Sequence, residues 1–305
     1  VRLRQYLIEA AQTLQKAGVD SPRLCAQVLV EKVLQLDRLG CVMYAGRQLS
    51  AHEIQTLNTL LARRAAGEPL AHITGSKEFY GRDFAVTPHT LIPRPETELL
   101  VDKAIEAARK IIDAADRQGL RHAKTEGTPA GCGPCFADLG CGSGCIGITL
   151  ALELPHWQGV LVDISPEAVQ TARHNAASLG AQNRVWCLPG DMTRPPLARG
   201  AYTMLVSNPP YIAESERSMV MGEVLEHEPH SALFSPRQGL AHLAAAIQAA
   251  AWALVPGGVL LLEHGAAQGA ATRRLLREHD LFEAPVTHRD MAGLERCTVA
   301  FRAQG

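Results

Sequence analysis

The chain has 305 residues, 47% of them apolar and 20% charged, with 30 Lys plus Arg against 31 Asp plus Glu. That is ordinary globular usage, which excludes a disordered, collagen-like or coiled-coil chain, and the length suggests about two domains. The net charge of −1 lacks the basic excess that accompanies binding along a phosphate backbone. No apolar run reaches the roughly 18 residues needed to span a bilayer.

The opening Val1-Arg2-Leu3-Arg4-Gln5-Tyr6 has no apolar signal core, so a cytoplasmic location is expected. Cytosolic thiols stay reduced, and the eight cysteines are expected to be free. Cys132-Gly133-Pro134-Cys135 forms a C-x-x-C pair. A redox pair would need a following helix to lower the first thiol's pKa, but Phe136-Ala137-Asp138-Leu139 reads as a strand. No second pair with zinc spacing follows, so no metal site is expected.

Residues 1–70 read as helices. Leu3, Leu7, Ala10, Leu14 and Ala17 recur at helical spacing until Gly18. Ser21-Pro22 reads as an N-cap with proline at the first helical position. Ala26, Leu29, Val30, Val33 and Leu34 then share a face. Ser50 and Glu53 form a capping box, followed by Ile54, Leu57 and Leu61. Residues 71–92 change character: aromatics flank Gly81 in the Phe79–Val86 stretch, which predicts a hairpin connector. Residues 96–112 return to helix, and Asp113 to Cys135 is expected as a surface loop.

From Phe136 strand and helix alternate. Strands are predicted at 136–139, 159–163, 184–188, 202–207, 258–263, 282–288 and 296–302. Helices are predicted at 144–154, 166–179, 239–254 and 268–278, the second opened by Ser165-Pro166. This alternation predicts an α/β fold with a mostly parallel sheet covered by helices on both faces. The last two strands lack a helix between them, so the final one is expected to run antiparallel.

Asp138-Leu139-Gly140-Cys141-Gly142-Ser143-Gly144 joins a strand to a helix. Glycines there admit positive φ and close approach of a ligand to the backbone, and the helix start offers free amides. The spacing is G-x-G-x-G, not the G-x-G-x-x-G dinucleotide form. Asp163 ends the next strand, where a carboxylate can accept both ribose hydroxyls; Asp191-Met192 follows the third strand, where a base edge would lie. The ligand is expected to be a nucleoside, either NAD or S-adenosylmethionine.

Ser207-Asn208-Pro209-Pro210-Tyr211 ends the fourth strand, at the edge where open α/β sheets bind ligands. Two prolines stiffen the backbone and remove two donors. The Asn208 side-chain oxygen and the Pro209 carbonyl can then accept from one planar NH₂ group, with the Tyr211 ring packing on a flat substrate.

The glycine loop together with Asn208-Pro209-Pro210-Tyr211 resembles the S-adenosylmethionine-dependent methyltransferases that act on planar NH₂ groups. Further stretches resemble the release factor glutamine methyltransferases, the PrmC/HemK family: Glu68–Gly75, Phe79-Tyr80, Leu91-Ile92-Pro93-Arg94-Pro95-Glu96-Thr97-Glu98, Glu223-Val224, Glu228-Pro229, Ala232-Leu233 and Leu261–Gly265. The resemblance implies a Rossmann-like seven-stranded methyltransferase domain over 93–305, a small N-terminal helical substrate-recognition domain over 1–70, and the connector at 71–92. The implied activity is methyl transfer from S-adenosylmethionine to the N5 side-chain amide of the glutamine in the Gly-Gly-Gln motif of class I peptide chain release factors.

By the same resemblance Gly140, Cys141, Gly142, Ser143 and Gly144 would hold the methionine end of the donor. Asp163 would hold the ribose, Met192 would cover the adenine, and Asn208 would touch donor and substrate. Pro209, Pro210 and Tyr211 would complete the glutamine pocket, with Asn208, Pro209 and Tyr211 catalytic by alignment. Met192 stands where the family can carry an aromatic residue, and 113–135 has the look of an insertion. Glu98 and Glu263 are expected as solvated or structural carboxylates, and His72 and His264 as structural. The alternatives are a ribosomal-protein glutamine methyltransferase and a DNA or RNA base amino-methyltransferase. Balanced charge counts against the latter, and neither stable nucleic-acid binding nor a membrane partner is expected.

Overall fold

A computed structural model describes residues 1–117 and 133–304. Cys132 and most of the 113–135 stretch lie outside these residues. The described chain divides into two compact units, one of Val1–Ser76 with Met221–His227, the other of Lys77–Val220 with Glu228–Gly305. Of the 71–92 stretch expected as a connector, residues 77–92 fall within the second unit and 71–76 within the first.

The first unit is helical: α1 (Leu3–Lys16), α2 (Pro22–Leu34), α3 (Arg38–Met43), α4 (Ala51–Ala65) and α5 (Leu70–Thr74). Its core joins Leu3, Tyr6, Ala10 and Leu14 of α1 to Cys25, Ala26 and Val30 of α2 and Leu57 of α4. Ser21 does not cap α2 as expected; its backbone is left-handed at φ 51 and its side chain makes no cap bond. The capping box of α4 is present, with Ser50 N donating to Glu53 Oε2 at 2.8 Å and Glu53 N to Ser50 Oγ at 3.2 Å. Arg64, at 6% exposure, donates to Glu68 O and, at 2.9 Å, to Glu223.

The second unit opens with the hairpin β1 (Ser76–Phe79) and β2 (Arg82–Ala85), turned by Tyr80 and Gly81, both at positive φ. A 3₁₀ turn at Pro95–Thr97 leads into α6 (Glu98–Arg117). That helix runs to Arg117, so the expected loop begins later than Asp113.

The sheet then builds from β3 (Cys135–Leu139), α7 (Cys145–Glu153), β4 (Gln158–Asp163), α8 (Pro166–Ser178), β5 (Val185–Pro189) and β6 (Tyr202–Ser207). It continues through α9 (Gly222–His227), which belongs to the first unit, then α10 (Ala241–Ala253), β7 (Leu254–Glu263), α11 (Gly269–Arg277), β8 (Val286–Arg289) and β9 (Glu295–Phe301). Seven strands lie in the order β5-β4-β3-β6-β7-β9-β8, all parallel except β9, which is antiparallel to both β7 and β8. The penultimate strand is shorter than expected: of the predicted 282–288, Phe282 makes only an isolated bridge to Arg302.

Leu139 pairs with Val162 on one side and Ser207 on the other, and Ser207 with Leu262. The carboxyl ends of the central strands are thus level. Between β3 and β6 the winding reverses, which opens a crevice at that edge. One apolar core lies under α6, α7 and α8, the other under α10 and α11.

Candidate active site

The loop after β3 folds back at once: the amides of Gly140 and Cys141 both donate to Val162 O, at 2.8 and 3.1 Å. Gly140, Gly142 and Gly144 have φ of 71, 54 and 80, a left-handed alternation that side chains with a Cβ resist. Helix α7 begins at Cys145 and sits close on β4. A Cβ at Gly147 would lie 2.8 Å from Leu161 Cδ1, and the Gly147 amide donates to Asp138 Oδ2 at 2.9 Å. Burial raises the pKa of Asp138 to about 7 against the pull of that bond.

Asp163 ends β4 with both oxygens engaged: Oδ2 accepts from Gly142 N at 2.8 Å and Oδ1 from Ser165 N at 2.9 Å. Burial raises its pKa, while the amides of Ser165, Gly142 and Ile164 oppose the rise. Ser165 also caps α8, accepting from Ala168 N at 3.1 Å, as its position before Pro166 predicted.

At the end of β6, Ser207 Oγ donates to Leu139 O at 2.6 Å and locks the two strand ends together. Asn208 is half-buried, and its Nδ2 donates to Thr97 Oγ1 at 3.2 Å. Tyr211 O accepts from Gln268 Nε2 at 2.8 Å; burial, then the nearby Glu263, pushes the Tyr211 phenol up to about 12.

These ends open into a cleft of about 710 Å³ including its mouth. Gly140, Gly142, Asp163, Met192, Asn208 and Pro210 line it together. The other residues expected at the site stand behind this surface. Cys141 belongs to the core, Ser143 is buried with its carbonyl accepting from Asn175 Nδ2 at 2.8 Å, and Gly144 donates to Cys141 O to start α7. Pro209 is buried, and neither it nor Tyr211 lines the cleft.

Asp191, singled out with Met192 in the sequence, lines the cleft too; sequence reading missed most of the remaining lining. His89 and Leu91 come from the segment before α6, Pro229, Ser231 and Ala232 from the segment before α10, and Ile164 and His242 from α-helix entrances. The two segments are joined by Glu228, 1% exposed at its side chain, which accepts from Ile92 N at 3.0 Å and from Arg94 Nη2 at 2.5 Å. Their only sequence signal was the pair of short matches at 91–98 and 228–233. Glu98 is structural, accepting from Tyr80 N at 2.9 Å. His264 is structural too, with Nδ1 donating to Gly265 O and Nε2 accepting from Thr298 Oγ1. Of the two expectations for Glu263, solvated or structural, its 2% exposure excludes the solvated one. Among the described residues no group of three or more His, Cys, Asp or Glu side chains could hold a metal.

The donor set fits a nucleoside sulfonium. Asp163 is pre-aimed by two backbone amides, and the glycine turn is so tight that a Cβ at Gly140 would come within 3.2 Å of Met192 Cε. A seven-stranded sheet reversed only at β9, with this loop and an Asn-Pro-Pro-Tyr edge at its switch point, makes the chain an S-adenosylmethionine-dependent methyltransferase. The same fold occurs in the crystal structure of the hMettl16 catalytic domain in complex with MAT2A 3′UTR hairpin 6, at TM-score 0.53 and 14% identity over 81% of this chain and 82% of that one.

Residues 5–75 match the PrmC N-terminal domain, and residues 108–236 the methyltransferase small domain. The release factor glutamine methyltransferase of Nitratidesulfovibrio vulgaris is 41% identical over 98% of this chain and 95% of its own. Those of Vibrio cholerae and Escherichia coli K12 are 38% and 37% identical, covering 98% and 97% of this chain and 96% and 97% of theirs. The chain belongs to the release factor glutamine methyltransferase family.

Proposed function

We propose that this protein methylates the N5 side-chain amide of the glutamine in the Gly-Gly-Gln motif of class I peptide chain release factors, in the cytoplasm, with S-adenosylmethionine as donor. The observation that carries the reading is Asn208 at the β6 edge, half-buried in the same cleft as Gly140, Gly142 and Asp163. A planar NH₂ held there would lie beside the donor.

When bound, the donor supplies a strongly electrophilic methyl carbon, and an amide nitrogen is a weak nucleophile because its lone pair is delocalised. The protein's task is therefore alignment, which can supply about 7–11 kcal/mol of a barrier in favourable cases. Asn208, which lines the cleft, accepts one amide hydrogen at Oδ1 and turns the nitrogen lone pair toward the methyl group; the Pro209 carbonyl, expected as the second acceptor, stands behind the lining. Tyr211 O is tied to Gln268, and Ser207 Oγ to Leu139 O, so the segment that carries Asn208 is held at each end. Asp163 holds the ribose, the Gly140–Gly144 loop the methionine end, and Met192 packs its thioether on the adenine. The proton leaves after transfer, when it is far more acidic, and needs no dedicated base.

The helical unit selects the protein, because a lone glutamine side chain cannot distinguish one substrate from another and remote contacts must. The test is incubation with labelled donor and, in parallel, release factor, ribosomal protein and nucleic acid. Label in release factor alone supports the reading; label in nucleic acid or ribosomal protein replaces it.

A further inference from the structure

Glu263 has no place in this mechanism, yet the sheet sets it beside Asn208. Ser207 of β6 pairs with Leu262 of β7, so the next residues on the two strands, Asn208 and Glu263, are neighbours. Period-two alternation puts Glu263 on the face of Val259 and Leu261, and Asn208 on the face of Met204 and Val206; all four belong to the core under α6. Thr97, 2% exposed, stands at the head of α6 on that face. Asn208 Nδ2 donates to Thr97 Oγ1 at 3.2 Å. Glu263 is 2% exposed, and its Oε2 has no hydrogen-bond partner. Burial raises its pKa to about 7, and the neighbouring Thr97 and Asn208 oppose that rise by favouring the ionised form.

A side-chain amide can face either way, and its orientation is decided by what surrounds it. Thr97 alone does not decide it, because a hydroxyl both donates and accepts. An ionised carboxylate only accepts, so it draws the NH₂ of Asn208 inward and leaves Oδ1 for the cleft. We propose that Glu263 is a positioning residue for methyl transfer, fixing with Thr97 the orientation in which Asn208 offers its oxygen to the target amide. The proposal rests on the reading of Asn208 given above.

A protonated Glu263 can donate to Oδ1 and permit the flipped amide, so the orientation is secured only above the carboxyl's pKa. The charged and titratable groups around it are few. Arg296 of β9 favours its charge and Glu96, ahead of α6, opposes it. Tyr211 after β6, Cys145 of α7 and Cys297 of β9 are all pushed upward by burial and stay neutral.

The test compares the full-length wild type with Glu263→Gln, Thr97→Val and Asn208→Ala. It uses single-turnover methylation of a class I release factor at saturating donor from pH 5.5 to 9, donor affinity by calorimetry, and thermal melts. In wild type the rate should rise through a midpoint near neutrality. Glu263→Gln should melt no lower than wild type, bind donor within about twofold, lose about 10- to 100-fold in rate, and lose that pH limb. Thr97→Val should lose about three- to tenfold in rate with unchanged donor affinity, and it decides the matter if Glu263→Gln does not fold. Glu263→Gln combined with Asn208→Ala should be no slower than Asn208→Ala alone. Wild-type rate and pH limb in Glu263→Gln, or full independence in the double variant, would overturn the proposal. If Asn208→Ala itself turns over normally, the underlying reading fails instead.

Discussion

Replacing Asp163 with asparagine separates its structural work from its proposed ligand work. A carboxylate has about four acceptor positions, and the amides of Gly142 and Ser165 occupy two of them at 2.8 and 2.9 Å. Asparagine can satisfy one of those amides and must turn its NH₂ toward the other. One loop bond is lost, worth about 1 kcal/mol, and in a chain of this size that lowers Tm by about 2–4 °C. Relief from burying a charge, visible in the raised pKa of Asp163, offsets part of this. The ribose contact loses its charged acceptor, which costs about 1.5–3 kcal/mol, or about 10- to 150-fold in Kd. Calorimetry with S-adenosylmethionine and with its demethylated product measures the affinity, and single-turnover methylation at saturating donor measures the chemical step. The affinity should fall by that factor while the saturated rate stays within a few-fold. Unchanged affinity for both ligands would refute the assignment of Asp163 to the ribose.

Asn208→Ala should lower the single-turnover rate by about 10²–10³, the loss seen for comparable preorganised contacts, with a melt close to wild type; a collapsed melt would make the residue structural. Gly147→Ala should cost about 1–3 kcal/mol by overpacking, because the new Cβ would sit 2.8 Å from Leu161 and 3.0 Å from Asp138 Oδ2; an unchanged Tm would contradict the close fit of α7 on β4. Asp138 has a folded pKa of about 7 against an ordinary 3.8, so its contribution to stability is lost as pH rises from about 4 to about 7. Asp138→Asn should therefore gain on wild type across that window, on the order of 4 kcal/mol at most, and a pH-independent difference in Tm would contradict the buried, proton-holding carboxyl. Arg94→Ala leaves Glu228 buried with only the Ile92 amide. A fully buried pair loses about 3–5 kcal/mol, but Arg94 is 34% exposed at its side chain, so a smaller loss and a weaker donor affinity are expected; an unchanged Kd would mean that this pair does not shape the cleft.

Most strands were legible because each carries its own burial pattern; β8 (Val286–Arg289), with no buried residue, was not. Phe136–Leu139 and Tyr202–Ser207 are mostly apolar, almost fully buried stretches whose ends the structure moves by at most one residue. Gly140, Asp163 and Asn208 were legible because their residue types sit at strand ends, where chemistry and local geometry coincide. What escaped is non-local. The bond from Arg94 to Glu228 spans 134 residues, and no local period announces it. His89 and Ser231 reach the cleft from aperiodic segments and His242 from the first turn of α10, and only the fold brings them together. Glu263 closes an apolar run, which reads equally as a solvated strand end; the register with β6 and the covering Thr97 make it buried. Ser21 shows the converse failure, a residue of the right type before a proline whose left-handed backbone keeps its side chain off the helix.

The most direct test of the proposed activity is fragmentation mass spectrometry of a class I release factor after reaction with the full-length protein and S-adenosylmethionine. The account predicts one added methyl group on the glutamine of the Gly-Gly-Gln motif, placed on its side-chain nitrogen, and its loss with the Asn208→Ala variant. A methyl group on any other residue, or an unmodified release factor in the presence of a protein that binds the donor, would contradict it.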